Sequence, residues 1–292
     1  MTAAVDAARA VWVLALWSVR ESFRRRVFLV VGVLTAGFVA LFALGSSVAF
    51  AHIHAGERSI GELVDAHELA GSTLNGLAMF AILFLGCVLA TFLTLSGVRG
   101  DAEAGLLQPL VVRPIGRAQV LLARWLAAVV VCAAYVALVD TAVLITLQVS
   151  GGWQPEHALT AGALLVLAVA VLAALCLLGS VVLSSIANGI ASFMLLGAGM
   201  FAGLLGQVGH ALGETSLEHT AHVVAWVLPF EALYQDGLAR TTAGQGGTTR
   251  FLVSLGPFGG GSAAGAALLL YVVGYLALVG LVTCAAAARR DL

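Results

Sequence analysis

Long apolar segments alternate with short polar ones along this chain. A helix that crosses a bilayer needs about 20 mainly apolar residues. Six segments meet that requirement, at 27–49, 74–98, 120–149, 158–183, 190–212 and 263–288. The pattern predicts an all-α integral membrane protein, with six transmembrane helices in a single transmembrane domain over residues 1–292.

The polar stretch before the first span has a helical period of its own. Trp12, Leu16, Val19 and Phe23 recur at helical spacing within residues 4–26, while the arginines there fall on other faces. This predicts an amphipathic helix lying at the membrane interface, although a frayed leader is the alternative. The first span is too long for the apolar core of a cleavable signal, and it is expected to be a retained anchor.

The segment 213–262 lies between the last two predicted spans and departs from the pattern of long apolar segments. Its apolar run is too short to span, and Pro229 breaks it. We expect a short re-entrant helix before the last span, because irregular backbone at membrane depth must be covered by protein. In the preceding span, Gly199 and Gly203 form a G-x-x-x-G face, which favours close helix packing within one chain or, alternatively, between two subunits.

Composition agrees with a lipid environment and excludes one function. The chain is 61% hydrophobic and 10% charged, against roughly 25% charged residues in soluble domains. All 14 basic residues are arginine. A P-loop requires a lysine that reaches the nucleotide phosphates, so this chain does not bind ATP through one. Nucleotide-driven work has to come from another subunit.

Arginine placement predicts the orientation, since cytoplasmic segments of membrane proteins are enriched in basic residues. With the N-terminus inside, the external segments hold only Arg58, Arg240 and Arg250. The other eleven lie inside or at the inner edge: Arg9, Arg20, Arg24, Arg25, Arg26, Arg99, Arg113, Arg117, Arg124, Arg289 and Arg290. Both termini are therefore expected in the cytoplasm, and the acids Glu231 and Asp236 are expected outside.

Few residues are candidates for chemistry. The four cysteines fall in separate apolar segments without a C-x-x-C pair, which favours buried packing over a disulfide or zinc site. External histidines such as His219 and His222 share a helical face, but two ligands do not make a metal site, so no metal is predicted. Asp140 lies in the third span, either in a translocation path or in a watery vestibule.

The loop at 99–119, between the second and third spans, is the most distinctive segment. Asp101 and Glu103 precede an apolar face that includes Leu106 and Leu107, and Pro114 ends this short helix. Such an amphipathic element could insert into a groove on a cytosolic partner. The alternative is a solvated turn whose arginines only set the topology.

This loop resembles that of ABC-2 type permeases. There an acidic-Gly-Leu-Leu element is followed by an Arg-Pro-[Ile/Val]-[Ser/Gly]-Arg turn, which here reads Arg113-Pro114-Ile115-Gly116-Arg117. The segments Ser18–Phe28 and Leu228–Glu231 are also similar to that family. Within it, the chain resembles the branch of nitrous-oxide-reductase maturation permeases. The one departure is Leu106, where the family commonly has threonine.

The resemblance implies a permease subunit without catalytic residues. Its substrate would cross a bacterial cytoplasmic membrane at the expense of ATP and Mg²⁺ bound by a separate P-loop ATPase. A second permease copy, identical or not, and the lipid bilayer would be the other partners, with no nucleic acid. The residues that would couple to the ATPase are Asp101, Glu103, Gly105, Leu106, Leu107, Arg113, Pro114, Ile115, Gly116 and Arg117.

Two other functions remain open at this point. One is an intramembrane enzyme that uses external histidines and acids with a metal, although the H-E-x-x-H motif is missing from the sequence. The other is a proton-coupled carrier that relies on Asp140 alone.

Overall fold

The computed structural model describes residues 26–55, 65–95, 117–243 and 264–289. These ranges form eight α-helices and no strand. The helices are α1 (Arg26–Ala55), α2 (Ala66–Leu95), α3 (Arg117–Gly151), α4 (Ala158–Val182), α5 (Ser185–Leu212), α6 (Thr215–Val227), α7 (Pro229–Thr241) and α8 (Ala266–Ala288). The predicted interfacial helix at 4–26 lies outside the described residues, apart from Arg26.

Six of these helices, α1 to α5 and α8, are long and apolar enough to cross a membrane, which confirms the predicted number of spans. Several extend beyond the predicted bounds. The second helix begins at Ala66 rather than at residue 74, and the fifth begins at Ser185 rather than at residue 190. Hydropathy marks only the part of a helix that suits lipid, whereas the backbone hydrogen bonds continue into more polar turns.

Helix α4 occupies the centre of the bundle. It packs against α2, α3, α5, α7 and α8. Its sequence is dominated by alanine, valine and leucine and contains no charged residue. A helix that is apolar on every face is suited to full burial, and its small side chains allow several neighbours to approach.

Polar side chains join α2, α4 and α5 inside the bundle. Thr91 lies 3.5 Å from the sulfur of Cys176, and the Cys176 thiol donates to Ser192 at 3.0 Å. Asn188 donates to the carbonyl oxygen of Cys176 at 3.0 Å. These bonds satisfy groups that would be costly to bury alone. Cys87, Cys132 and Cys176 are buried and free, as predicted, while Cys284 is partly exposed.

Contacts between helix ends define two ends of the bundle. At one end, which we call the hairpin end, Phe50 of α1 packs against Gly151 of α3, and His67 of α2 bonds the Gly151 carbonyl oxygen. At the opposite end, Leu121 of α3 packs with Ala287 of α8. Because α1 reaches the hairpin end near its C-terminus, Arg26 and Arg289 both lie at the opposite end. The location of that end in the cytoplasm stays a prediction.

Candidate functional site: the re-entrant hairpin

The predicted coupling residues lie almost entirely outside the described residues. This applies to Asp101, Glu103, Gly105, Leu106, Leu107, Arg113, Pro114, Ile115 and Gly116, while Arg117 is the first residue of α3. The helices on either side place the ends of this loop. Both Leu95, where α2 ends, and Arg117 lie at the end opposite the hairpin end.

The segment before the last span forms two helices, α6 and α7, where the sequence predicted one. We call this pair, Thr215–Thr241, the re-entrant hairpin. Helix α6 runs inward along α5, because Ala221 packs at Gly206 and Leu217 packs at Gly209. Helix α7 then returns outward, since Phe230 packs at Gly199 while Asp236 bonds the backbone just before α8.

Two tyrosines cover the broken end of α6. The backbone turns at Leu228, and Pro229 starts α7, where its missing N–H costs nothing. The hydroxyl of Tyr275 donates to the Val227 carbonyl oxygen at 2.8 Å, and that of Tyr271 donates to the Trp226 carbonyl oxygen. Tyr275 lies nine residues into α8, about 14 Å from its start. The protein itself thus satisfies carbonyls that lipid could not.

Gly199 and Gly203 of α5 allow close packing within the chain. A Cβ at Gly199 would lie 2.5 Å from the Phe230 ring, and one at Gly203 would overlap the Glu231 carboxylate. The G-x-x-x-G face is therefore turned toward the re-entrant hairpin, as the simpler of the two interpretations held. Gly197 faces open space, with no atom of the described residues within 4 Å of a Cβ built there.

Helix α7 is buried along most of its length and is held by polar contacts at its outer turn. Asp236, 1% exposed, pairs with Arg240 at 3.1 Å and accepts the backbone N–H of Ala264 at 3.2 Å. Tyr234 donates to the Gly76 carbonyl oxygen of α2 at 3.4 Å. These bonds connect α7 to the start of α8 and to α2, so α7 is part of the bundle core, whereas α6 has no buried residue.

Glu231 and Gln235 differ from Asp236 and Tyr234, because each has a buried oxygen without a hydrogen-bond partner among the described residues. Glu231 is only 5% exposed, and Gly203 gives its carboxylate direct contact with α5. Burial raises the pKa of Glu231 to about 7, and hydrogen bonding to Gln235 opposes that rise. The sequence placed Glu231 and Asp236 on the external side, and that side stays a prediction; the structure shows that both are buried in protein.

Asp140 lies on α3 and is half-buried against α4. Its Oδ2 atom lies 2.9 Å from where a Cβ on Gly162 would stand, so this glycine makes room for the carboxylate. Gly162 is four residues into α4, which places Asp140 toward the hairpin end. A role in translocation stays a prediction.

The histidines predicted to lie outside form no cluster in the part of the chain that the structure describes, where no three of His, Cys, Asp and Glu come together. His222 packs edge-on against Trp226, with ring centroids 5.9 Å apart. Trp226 in turn packs against Tyr271 at 4.6 Å. This His222 ring belongs to the aromatic contacts around the break of the hairpin.

Six long apolar helices, with α4 at the centre of the bundle and a re-entrant hairpin before the last of them, define a multi-pass helical membrane protein. The chain belongs to the ABC-2 transporter family, since residues 12–292 match the family model described as ABC-2 family transporter protein. It is therefore a transport component of a membrane. The match identifies the family and no branch within it, and no curated protein matches the chain.

Proposed function

We propose that this chain is the permease subunit of an ATP-binding cassette transporter, and that ATP is hydrolysed by a separate cytosolic subunit. The observation that carries this proposal is the family match over residues 12–292. The absence of lysine from the whole sequence supports the division of labour, because a P-loop cannot be built without one. ATP and Mg²⁺ would thus bind to the partner.

The loop at 99–119 is the proposed contact with the ATPase, through the ten residues from Asp101 to Arg117 given above. Its two ends continue into α2 and α3, which pack against each other and against the central α4. A displacement of the loop by the ATPase would consequently reach the centre of the bundle directly. Rigid-body rocking of packed helices is an established way to convert such a push into a change of access.

The complete transporter would contain two permease copies and two ATPases in a bacterial cytoplasmic membrane. The substrate would pass along the permease from one side of the bilayer to the other.

Co-purification tests the proposal. The full chain, extracted in mild detergent from its native membrane, should bring down a protein with a G-x-x-x-x-G-K-[ST] motif. Arg113→Glu and Arg117→Glu should each weaken that association, because they reverse a charge in the proposed contact. Arg289→Glu is the matched control, since this exposed arginine lies at the same end of the bundle.

The opposite result is equally clear. If no P-loop protein accompanies the chain, or if replacement of residues 101–117 by a Gly/Ser linker leaves the association intact, the coupling proposal is wrong.

A further inference from the structure

Glu231, a buried carboxyl group of the re-entrant hairpin, lies toward the end of the bundle opposite the loop at 99–119 and thus away from the proposed ATPase contact. It nevertheless has an unusual environment. Glu231 Oε1 and Gln235 Oε1 are both acceptors, both are buried, and neither receives a donor from the described residues. An acceptor buried without a donor costs roughly 1–3 kcal/mol, and more when it is charged.

The contact with α5 restricts what could supply the missing donor. Oε1 of Glu231 lies against the backbone at Gly203, where even a methyl group would overlap it. Gln235 follows Glu231 by four residues and so shares its face of α7. A proton on Glu231 would make the carboxyl a donor and would let it serve the neighbouring amide oxygen without any additional space.

Among the side chains that the structure describes, no neighbouring charge offsets a carboxylate here, and α5 presents no titratable group among them. On α7 the nearby titratable groups are Tyr234 and Asp236, and Asp236 already holds Arg240. Along α4 the only titratable side chain is Cys176, and α8 presents Tyr271 and Tyr275, whose hydroxyls bond the end of α6.

The titratable groups on α6 are Glu218, His219 and His222, and the His222 ring packs against Trp226. On α2, Glu68 bonds Trp153 and His67 bonds the Gly151 carbonyl oxygen.

Two effects favour the anion, and the first is the hydrogen bonding to Gln235, which lowers the pKa of Glu231. Glu231 is the third residue of α7, and the N-terminal end of a helix stabilises a negative charge by about 0.3–1 kcal/mol. Removing an ion from water costs several kcal/mol, so burial outweighs the helix dipole.

We propose that Glu231 is a proton-binding site, and that its protonation holds the re-entrant hairpin against α5 whereas its ionisation releases it. The docked hairpin is the protonated state. Release would free the Phe230 and Glu231 side chains from Gly199 and Gly203, at the face of the protein away from the ATPase. The external end of the permease would thus respond to pH on its own side of the membrane.

Infrared spectroscopy of the full chain in lipid nanodiscs tests protonation directly. The difference between wild type and Glu231→Gln should contain a carboxylic-acid C=O stretch at pH 6 that is lost with a midpoint near pH 7, where burial places the pKa of Glu231. Glu214→Gln is the matched control, because this exposed carboxyl begins the same hairpin and its side chain makes no cap hydrogen bond. A midpoint between pH 4 and 5 would overturn the proposal.

Hydrogen exchange tests release of the hairpin. Amide protection over residues 229–241 is compared between wild type and Glu231→Gln at the same pH. The ratio of wild-type to variant protection should fall about tenfold between pH 6 and pH 8. An equal protection ratio at both pH values would refute the proposed release of the hairpin by ionisation of Glu231. If Glu231→Gln does not fold, Gly203→Ala replaces it, since it displaces the carboxyl from α5 and should lower protection at pH 6. Neither measurement requires an ATPase, so failure here is separate from failure of the coupling proposal.

Discussion

Two buried carboxyl side chains of the hairpin differ in the hydrogen-bond donors that they receive. Asp236 and Glu231 lie five residues apart on α7, and both are buried. Asp236 has an arginine and a backbone N–H as donors, whereas Glu231 Oε1 has none among the described residues. Burial makes Glu231 sensitive to pH because it raises the pKa of this carboxyl, and no donor among the described residues reaches Oε1 to stabilise the charged form.

This difference predicts a pH-dependent stability. Because the pKa of Glu231 is raised to about 7 in the fold, the folded chain keeps a proton that the unfolded chain loses near its ordinary pKa of 4.5. The contribution of the Glu231 proton to the free energy of unfolding is therefore complete below about pH 4.5. It is lost as pH rises to about 7, by roughly 3 kcal/mol in total. The unfolding temperature in detergent should fall over this pH window in wild type and should change less in Glu231→Gln. A pH profile shared by both proteins would contradict it.

Gly199 allows a second test at a single residue. Gly199→Ala would place a methyl group 2.5 Å from the Phe230 ring, and overpacking of this kind costs about 1–3 kcal/mol. Gly197→Ala, two residues earlier on the same helix, meets open space and should be neutral or stabilising by up to about 1 kcal/mol. The melting temperatures of the two variants, each compared with wild type, measure these two effects. Destabilisation by Gly197→Ala would instead indicate a second subunit on that face.

At the scale of elements, the re-entrant hairpin depends on hydrogen bonds from α8. Tyr271→Phe and Tyr275→Phe each remove one hydroxyl and leave one carbonyl at the end of α6 unsatisfied, at a cost of about 1–3 kcal/mol. Hydrogen exchange around residues 222–228 should increase in both variants. Tyr135→Phe, which loses a bond to Thr35 between α1 and α3, should leave this region protected.

Much of this architecture could be predicted from the sequence, for physical reasons that also explain the remainder. Six spans follow from apolar length, and Pro229 revealed the break because its ring prevents a continuous helix. The return of α7 and the burial of Glu231 could not be foreseen, since a 13-residue helix with six polar or charged side chains looks solvent-exposed in isolation. Only the tertiary contacts with α4 and α5 bury it.

For the whole molecule, the two ends of the bundle have different chemistry. The hairpin end holds Glu68, Glu231 and Asp236, while the opposite end receives the loop at 99–119 and Arg289. If basic segments stay in the cytoplasm, the opposite end faces the ATPase and the hairpin end faces outward. A proton site at one end and an ATPase contact at the other would then report on different compartments.

Thiol labelling of intact cells can establish this orientation. In a chain whose four cysteines are replaced by alanine or serine, Glu156→Cys occupies an exposed position between α3 and α4 and should react with a membrane-impermeant maleimide. Ala104→Cys, in the loop at 99–119, should react only after the cells are permeabilised. These two positions belong to segments that leave α3 at its two ends, so they must give opposite results if α3 spans the membrane. The reverse pattern would place the arginine-containing loop outside the cell, beyond the reach of any cytosolic ATPase, and would leave the proton site of Glu231 facing the cytoplasm.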